Sequence, residues 1–509
     1  MGDRCYQRKI KMRIDKFISS ALIFLILISP GCSTLRIHQF AVKAERPLEY
    51  VRFFDELDKA VEKAGVKNAS QFSIPGFPYL RADRFLIGLR QKIIDDSQKE
   101  FWVQWMRQEA LESREKEIRN LSDSAVVILA HQLGIVPDRE MILNKLSFYS
   151  EQLFQHDKNI SNFYDILKLA VNDPGEYSTL QRFLGLYPLF SLPVIYGTNK
   201  TYNQFRKWYK RPFEERGING SIKVYAPAKN LNFSRDIVDR VFNSSPRNVL
   251  GVPQLTQDEI DELILILAPV FYQDQSTDYD RFGEVEWEKN RVTINHLKPT
   301  VYYYVSYAFI KGEPVLQINY VIWYAARSAP GAPWIERGPL DGLTVRVTLD
   351  PNGWPMMVDI MNNCGCYHFF VPRKEKVATT ISQPWRINPF VPTWLPESFP
   401  QKHFYLRINS GWHQVERIHS GEIPANVLSY ELLPYDILEI LPHIDGHTES
   451  VFTSQGIMKN SKRMEPIIFF SMGVPDIGYM RQRGHHAIKL VGRSYFDDPQ
   501  LFEQNFIFK

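Results

Sequence analysis

The segment from Asn362 to His368 carries the residues of this chain best suited to chemistry. Its sequence, Asn-Asn-Cys-Gly-Cys-Tyr-His, places Cys364, Cys366 and His368 at every second position. In an extended strand alternate side chains point to the same face, so these three would point the same way. Two thiolates and an imidazole suit zinc or copper. The spacing therefore predicts a metal site.

Histidines elsewhere in the chain could complete such a site. Nine of the twelve histidines lie between residues 296 and 486, and this clustering favours a site in that region. The candidates for a fourth ligand, or for a base beside a cysteine, are His403, His413, His419, His485 and His486. Because neighbouring strand residues face opposite ways, only one of the last two could share a pocket with Cys366.

The two cysteines allow two other interpretations. One thiolate could act as a nucleophile with a histidine as base, as in Cys–His acyl-transfer enzymes, although no known catalytic signature surrounds them. Alternatively, Cys364 and Cys366 could form a small-ring disulfide, either redox-active or structural. The sequence contains no P-loop, dinucleotide fingerprint, Gly-x-Ser-x-Gly or His-Glu-x-x-His motif. Catalytic residues outside this segment therefore stay unassigned.

The elements that must position this segment follow from length and patterning. The chain has 509 residues, of which 44% are apolar and 23% charged, which is a globular composition long enough for two or three domains. Residues 47–215 show apolar side chains at helical spacing, which predicts helices at 101–120 and 122–133 among others. Residues 216–509 show alternating, aromatic-rich runs between turns, together with a capping-box pattern at Thr256 and Glu259. The turn sequences predict hairpins around Lys311 and around Asp350-Pro-Asn-Gly353, and the apolar runs 467–471 and 487–491 are further candidate strands. The expected fold class is α+β: an N-terminal all-helical domain followed by an antiparallel β-rich domain that carries the Cys-x-Cys-x-His segment.

The charge distribution argues against a nucleic-acid partner. The formal net charge is +4. Six basic and two acidic side chains within residues 1–31 account for all of it, so the remaining chain is neutral. A protein that binds nucleic acid needs a basic patch to neutralise phosphates. We therefore expect no nucleic-acid binding.

The N-terminus carries the most specific pattern in the sequence. A basic run from Lys9 to Lys16 precedes an apolar stretch from Phe17 to Ser29, and Gly31-Cys32-Ser33 follows. Over residues 12–33 the segment resembles a bacterial lipoprotein signal with its lipobox, although Ser29 and Pro30 depart from the residues usual there. Met12 is an alternative start that gives a signal of ordinary length. The apolar stretch is too short to span a membrane, which fits a signal core.

The resemblance implies a lipid anchor. Residues 1–31 would be removed as the signal peptide, Cys32 would be acylated with diacylglycerol and palmitate-like chains, and residues 32–46 would form a tether. Two or three acyl chains anchor a protein stably. By the sorting pattern of this class, Ser33 after the cysteine implies the outer membrane, with the body facing the periplasm or the cell surface. The alternative is a plain cleaved signal without lipidation.

These observations define the expected function. Cys5 leaves with the signal and Cys32 is acylated, so Cys364 and Cys366 are the cysteines left in the mature body. We expect a lipid-anchored envelope lipoprotein with a structural or binding role, whose partner is the membrane. The alternative is a metal- or thiol-dependent envelope enzyme that uses Cys364, Cys366 and His368, with zinc or copper as the cofactor in the metal case.

Overall fold

A computed structural model describes residues 34, 36, 37, 40, 44–215, 220–229, 235–382 and 387–509 of the chain. The predicted signal peptide, residues 1–31, and the predicted lipidation site Cys32 lie outside the described residues. Within the described part of the chain, no helix is both long enough and apolar enough to cross a membrane.

The first part of the described chain is mainly helical. Its helices are α1 (Leu48–Ala64), α2 (Arg84–Leu89), α3 (Asp96–Arg119), α4 (Asp123–Leu133), α5 (Arg139–Asp157), α6 (Phe163–Ala170), α7 (Thr179–Leu184) and α8 (Tyr187–Trp208). Side-chain caps start several of them: Asp95 and Gln98 form a capping box at α3, and the Ser122 hydroxyl accepts the Ala125 N–H at α4. The helical pattern predicted here is confirmed.

The prediction of an all-helical region is wrong at one place. A short hairpin of β1 (Phe72–Ile74) and β2 (Phe77–Ala82) lies between α1 and α2. The sequence Ile74-Pro75-Gly76 turns the chain tightly, with Gly76 at a φ of 82°. Five of the six residues of β2 are buried, so buried and exposed positions do not alternate along the strand. A strand of this kind does not have the period-two sequence pattern that predicts a half-buried strand.

The second part of the chain is rich in strands. The strands are β3 (Ser221–Pro227), β4 (Val270–Gln275), β5 (Glu284–Glu288), β6 (Arg291–Asn295), β7 (Thr300–Ile310), β8 (Glu313–Arg327), β9 (Gly338–Leu349), β10 (Pro355–Asn362), β11 (Phe369–Pro372), β12 (Val377–Thr380), β13 (His403–Ile408), β14 (Val415–Gly421), β15 (Leu428–Pro434), β16 (Leu441–Pro442), β17 (Thr448–Glu449) and β18 (Phe506–Phe508). The helices are α9 (Arg235–Ser244), α10 (Gln257–Leu267), α11 (Glu465–Ile468) and α12 (Leu501–Asn505). The protein is therefore an α+β protein.

Ten of these strands form one mixed sheet, which corrects the antiparallel prediction. Their order is β11-β10-β9-β8-β7-β15-β3-β4-β13-β14. Strands β7 to β11 form an antiparallel meander, but β15 pairs in parallel with both β7 and β3, and β13 pairs in parallel with β4. Parallel neighbours need crossover connections. The pairing therefore joins segments far apart in sequence, which local turn patterns do not reveal.

Two hairpins predicted from turn sequences are confirmed, and two strands are not. β7 and β8 meet around Lys311, and β9 and β10 around Asp350-Pro-Asn-Gly353. The stretch 467–471, predicted as a strand, contains the end of α11 and a turn of 3-10 helix, and the stretch 487–491 holds one isolated bridge. Both stretches line a pocket instead of joining the sheet. In the first stretch Phe469 is the pocket residue, while Ile467, Ile468 and Phe470 are exposed.

Aromatic and charged contacts join the helical part to the sheet. Phe85 at α2 stacks on Phe309 of β7 with ring centroids 5.1 Å apart. Lys116 of α3 donates to Glu439 at 2.6 Å, and Asn120 donates to the Glu439 carbonyl at 2.8 Å. The domain boundary near residue 215 stays a prediction.

Candidate functional site

The Cys-x-Cys-x-His segment forms a turn between β10 and β11. Gly365 has a φ of 88° and Tyr367 a φ of 55°, so the backbone reverses within the segment. The expectation of an extended segment with all three ligands on one face is therefore wrong. A Cβ on Gly365 would lie 2.4 Å from the carbonyl oxygen of Ala487. Glycine at this position thus allows both the left-handed conformation and the close approach of the segment that contains Ala487.

His368 belongs to a buried ionic cluster with Asp359 and Arg346. Its Nε2 lies 2.8 Å from Oδ2 of Asp359, and Arg346 forms a bidentate ion pair with the same carboxylate. Burial lowers the pKa of His368, because the charged imidazole would lose its hydration. The ring also contacts Phe370 and Phe496. His368 therefore contributes to the core beneath the sheet.

The other candidate histidines are distributed over separate buried clusters. His413 lies between Asp341 at 2.8 Å and Asp280 at 3.3 Å. Its hydrogen bonds to these aspartates outweigh the effect of burial and raise its pKa. His485 contacts the carboxylate of Glu176 at 2.8 Å and the carbonyl of Ala69 at 2.6 Å. These histidines connect elements of the fold.

The remaining histidines do not approach the cysteines as metal ligands either. His486 is buried 3.9 Å from Asp497, His403 is buried at the start of β13, and His419 contacts the ring of Phe213. Among the described residues, no cysteine belongs to a set of three metal-ligating side chains whose donor atoms lie within 4.8 Å of one another. The structure thus does not bring together the predicted zinc or copper site.

Both thiols instead face a largely apolar pocket of about 420 Å³, here called the thiol pocket. Its volume is in the range of small-molecule sites. Its lining comprises Pro193, Val194, Gly197, Thr198, Thr201, Tyr202, Glu336, Cys364, Gly365, Cys366, Tyr367, Ile387, Glu465, Phe469, Val474, Ile477, Ala487, Ile488, Lys489 and Leu490. One face of α8 supplies a wall, and the turn containing the cysteines supplies the polar end.

The two thiols are free and differ in acidity. A hydrogen bond from the Cys366 thiol lowers the pKa of Cys364 to about 7; its backbone N–H and the charge of Arg327 act in the same direction. The same hydrogen bond raises the pKa of Cys366, because that thiol is held as the donor. Cys364 is therefore the thiol that ionises near neutral pH, and the thiolate is the nucleophilic form.

A carboxyl group lies beside the thiols. Burial, and then the negative charge of Cys364, raise the pKa of Glu465 to about 8. Its Oε2 has no hydrogen-bond partner among the described residues. Across the pocket, the Tyr367 hydroxyl donates to Glu336, and Glu336 also pairs with Arg327 at 2.8 Å. The polar end of the pocket thus combines a thiol whose pKa is lowered to about 7 with a carboxyl whose pKa is raised to about 8.

The helices α7 and α8 expose several large apolar side chains between residues 180 and 196. They range from 48% exposed for Phe190 to 75% exposed for Phe183. We call this set the apolar helix face; its members are Leu180, Phe183, Leu184, Leu186, Leu189, Phe190, Leu192 and Tyr196. Exposed basic side chains follow on and after α8, namely Lys200, Arg206, Lys207, Lys210 and Arg211. Large exposed apolar side chains that lie close together make a surface a candidate for binding.

A second cavity, the polar cavity, was not found by sequence reasoning. It has a volume of about 520 Å³ and lies between α3 and the strand β7, with Asp83, Glu109, Arg483 and Asp497 in its lining. Burial, followed by the charge of Asp83, raises the pKa of Glu109 to about 8. These residues come from distant parts of the chain and share no motif. No local sequence signal could have joined them.

Comparisons of this chain with protein-family models, with curated proteins and with solved structures found no match. The two cavities and the exposed helices are the features of the molecule that indicate a function.

Proposed function

We propose that this protein is a lipid-anchored envelope protein that binds an acyl chain or a similar apolar ligand in the thiol pocket. The observation that carries the proposal is that α8 both lines the thiol pocket and exposes large apolar side chains. One face of this helix lines the pocket with Val194, Gly197 and Thr201, while Leu189 and Tyr196 are exposed beside it. A ligand leaving a lipid surface would meet the exposed face and the pocket wall on the same helix.

The N-terminal sequence supports the membrane location. The lipobox-like Gly31-Cys32-Ser33 would anchor the chain in the outer membrane, and residues 32–46 would tether the body. In this proposal residues 47–215 form a helical domain and residues 216–509 a β-rich domain. Both would lie on the membrane surface, with the anchor limiting their distance from it.

The apolar helix face fits a lipid surface as its partner. Its large side chains could enter the interface, and the basic groups Lys200, Arg206 and Lys207 on the same helix would meet anionic head groups. Interfacial helices combine an apolar face with basic residues in this way. The pocket would then open close to the acyl chains of the lipids.

Binding of a fluorescent C16 fatty acid to the full chain tests this proposal. Gly197→Trp places an indole on the wall of the pocket, where a Cβ meets no atom within 4 Å. We expect this variant to fold and to bind the probe at least about 10-fold more weakly, which corresponds to ~1.4 kcal/mol. The matched control is Val127→Trp, which adds an indole at an exposed position of α4. Equal binding by Gly197→Trp and the unchanged chain would contradict the proposal.

A second candidate function is acyl transfer by Cys364. The observation that favours it is the pair of donors, the thiol and the backbone N–H of Cys366, that stabilise a thiolate inside the pocket. The thiolate would attack the carbonyl carbon of an acyl ester and form a thioester at Sγ as the carbon–oxygen ester bond breaks. The leaving alkoxide would take a proton from water and depart as the alcohol. Among the described residues no hydrogen bond joins a histidine to Cys364, so this version differs from the Cys–His pair considered in the sequence analysis.

A p-nitrophenyl ester of a long-chain fatty acid tests the second candidate. We expect release of p-nitrophenolate and an acyl mass on the peptide that contains Cys364, and neither in Cys364→Ala. Cys366→Ala keeps the nucleophile but loses one donor, so it should react more slowly. Acylation elsewhere, or none at all, would remove this candidate while leaving the binding proposal to its own test.

A further inference from the structure

A second chemical site lies in the hairpin of β16 and β17, on the strand-rich part of the chain. His443, His447 and Glu449 each offer one donor atom, and these atoms all lie within 4.8 Å of one another. His443 Nε2 is 3.0 Å from Glu449 Oε2, and the two imidazole rings stack with centroids 4.0 Å apart. Two imidazoles and a carboxylate are the donor set of three-ligand zinc sites, in which water takes the fourth position.

The hairpin geometry explains why residues four and two positions apart converge. Leu441 pairs with Glu449 and Pro442 with Thr448, so the ends of the loop are held together. The His443 N–H donates to the His447 carbonyl at 2.8 Å, and Gly446 reverses the chain with a φ of 88°. Both imidazoles and the carboxylate therefore lie on one side of a closed loop before any ligand is bound.

Neighbouring groups orient each of the three donors. Asp445 contacts Nδ1 of His447, which leaves Nε2 of that ring available to a metal. Carboxylate partners of this kind fix the tautomer and orientation of metal-binding histidines. Trp287 of β5 stacks on His443 with centroids 4.6 Å apart and an interplanar angle of 15°. The His443 ring thus stacks with both Trp287 and His447.

Glu449 is arranged to use its two oxygens differently. Lys459 pairs with Oε1 at 2.5 Å, while Oε2 faces His443. The hydrogen bond to the Lys459 ammonium group fixes the orientation of the carboxylate, so that Oε2 is the oxygen placed beside His443. The side chain of His447 is 55% exposed, so water has access to a fourth coordination position.

We propose that His443, His447 and Glu449 bind a zinc ion, with Asp445 as a positioning residue. This site is separate from the thiol pocket and uses none of the residues Cys364, Cys366 or His368. Its test is therefore independent of the proposed function.

Zinc titration of the full chain, purified without a histidine tag and stripped with chelator, tests the proposal. A chromogenic indicator competes for Zn²⁺ and reports the affinity. We expect one site that His447→Ala or Glu449→Gln weakens at least about 10-fold, because each variant removes a donor. Asp445→Asn should weaken binding by about 10-fold through loss of orientation. His131→Ala removes an exposed histidine on α4 and is the matched control.

Cobalt substitution and a cysteine variant make the outcome decisive. A Co²⁺ complex at this site should show weak d–d bands without a thiolate charge-transfer band, and the double variant Cys364→Ser with Cys366→Ser should keep full zinc affinity. A charge-transfer band, or zinc binding lost in the cysteine variant and kept in His447→Ala, would overturn the proposal. Absence of zinc binding by the unchanged chain would also overturn it.

Discussion

The thiol pocket and the polar cavity contain carboxyl groups with the same raised pKa in different surroundings. In both Glu465 and Glu109 the pKa is raised to about 8, and burial is the largest cause in each. Glu465 lies beside the Cys364 thiolate and an apolar wall, whereas Glu109 lies beside Asp83 among charged side chains. Burial thus sets the acidity in both cavities, and the neighbours decide what each cavity can bind.

The two cavities also differ in what holds them open. The polar cavity is bordered by Lys116, Asp436 and Arg483, which all pair with one another or with Glu439. The thiol pocket is bordered by side chains that pack, as where Tyr202 stacks on Phe390 with centroids 4.2 Å apart. Charge pairing therefore supports one cavity and apolar contact supports the other. The following predictions test this difference.

The largest effect is expected from Glu439→Ala. Glu439 is fully buried and accepts from Lys116 at 2.6 Å, Gln482 at 2.8 Å and Arg483 at 3.1 Å. Its removal leaves two cations without their buried partner, which costs about 3–5 kcal/mol in the free energy of unfolding. Urea denaturation followed by circular dichroism measures this loss.

The matched control for that variant is Glu115→Ala on α3. Glu115 pairs with Arg119 at the surface, four residues along the helix, so its loss should change the free energy of unfolding by about 0.5 kcal/mol or less. Similar losses in the two variants would show that charge pairing does not support the polar cavity.

Intermediate effects are expected from Glu465→Gln and Glu109→Gln, and they depend on pH. A carboxyl whose pKa is raised on folding binds its proton more tightly in the folded state. Its stabilising contribution is therefore present below pH 4.5 and is lost as the pH rises towards 8. Glutamine cannot ionise, so at pH 9 the free energy of unfolding of each variant should exceed that of the unchanged protein by about 1–3 kcal/mol. Thermal or urea unfolding across this pH range measures the difference.

Second variants distinguish the two cavities in that experiment. Cys364→Ser removes the charge beside Glu465 and should reduce the benefit of Glu465→Gln, while the benefit of Glu109→Gln stays unchanged. Asp83→Asn should reduce the benefit of Glu109→Gln, while the benefit of Glu465→Gln stays unchanged. If either variant affected both carboxyl groups equally, the cavities would not be electrostatically separate.

The smallest effect concerns the reactivity of the two thiols. With a pKa of about 7, Cys364 should react with iodoacetamide at pH 7.5 about 10-fold faster than Cys366, whose pKa is raised. Cys366→Ala removes the donor thiol and should shift the reaction of Cys364 to higher pH. Mass spectrometry of the alkylated peptides measures both rates. Faster alkylation of Cys366 would reverse the assignment of donor and acceptor.

The sequence allowed most of the local structure to be predicted. The helices α3 and α4 and the capping box at Thr256 and Glu259 were all found from residue type and spacing, because these features depend on contacts within a few residues. The hairpin of β7 and β8 was found for the same reason. The β1–β2 hairpin was not found, because β2 is buried along most of its length and lacks an alternating pattern. The parallel pairing of β15 was not found, because it joins segments far apart in the sequence.

The sequence identified the two cysteines of the candidate site but neither their geometry nor their partners. Cys364 and Cys366 do face a pocket, but His368 turns away to Asp359 because Gly365 and Tyr367 reverse the chain between them. Alternation along an extended strand was the wrong geometry for this segment. The partners that matter, Glu465 and the wall of α8, come from elsewhere in the chain and carry no motif.

By itself the sequence determined the helices, the hairpins, the neutral body and the two cysteines available for chemistry, since these follow from composition and short-range periodicity. Tertiary structure alone decided that Cys364 meets Glu465, that Glu109 meets Asp83 and that β15 joins the two parts of the sheet. The physical reason is the distance along the sequence between the residues that interact. Burial and the field of neighbouring charges set acidity and cavity shape, and both depend on residues that only folding brings together.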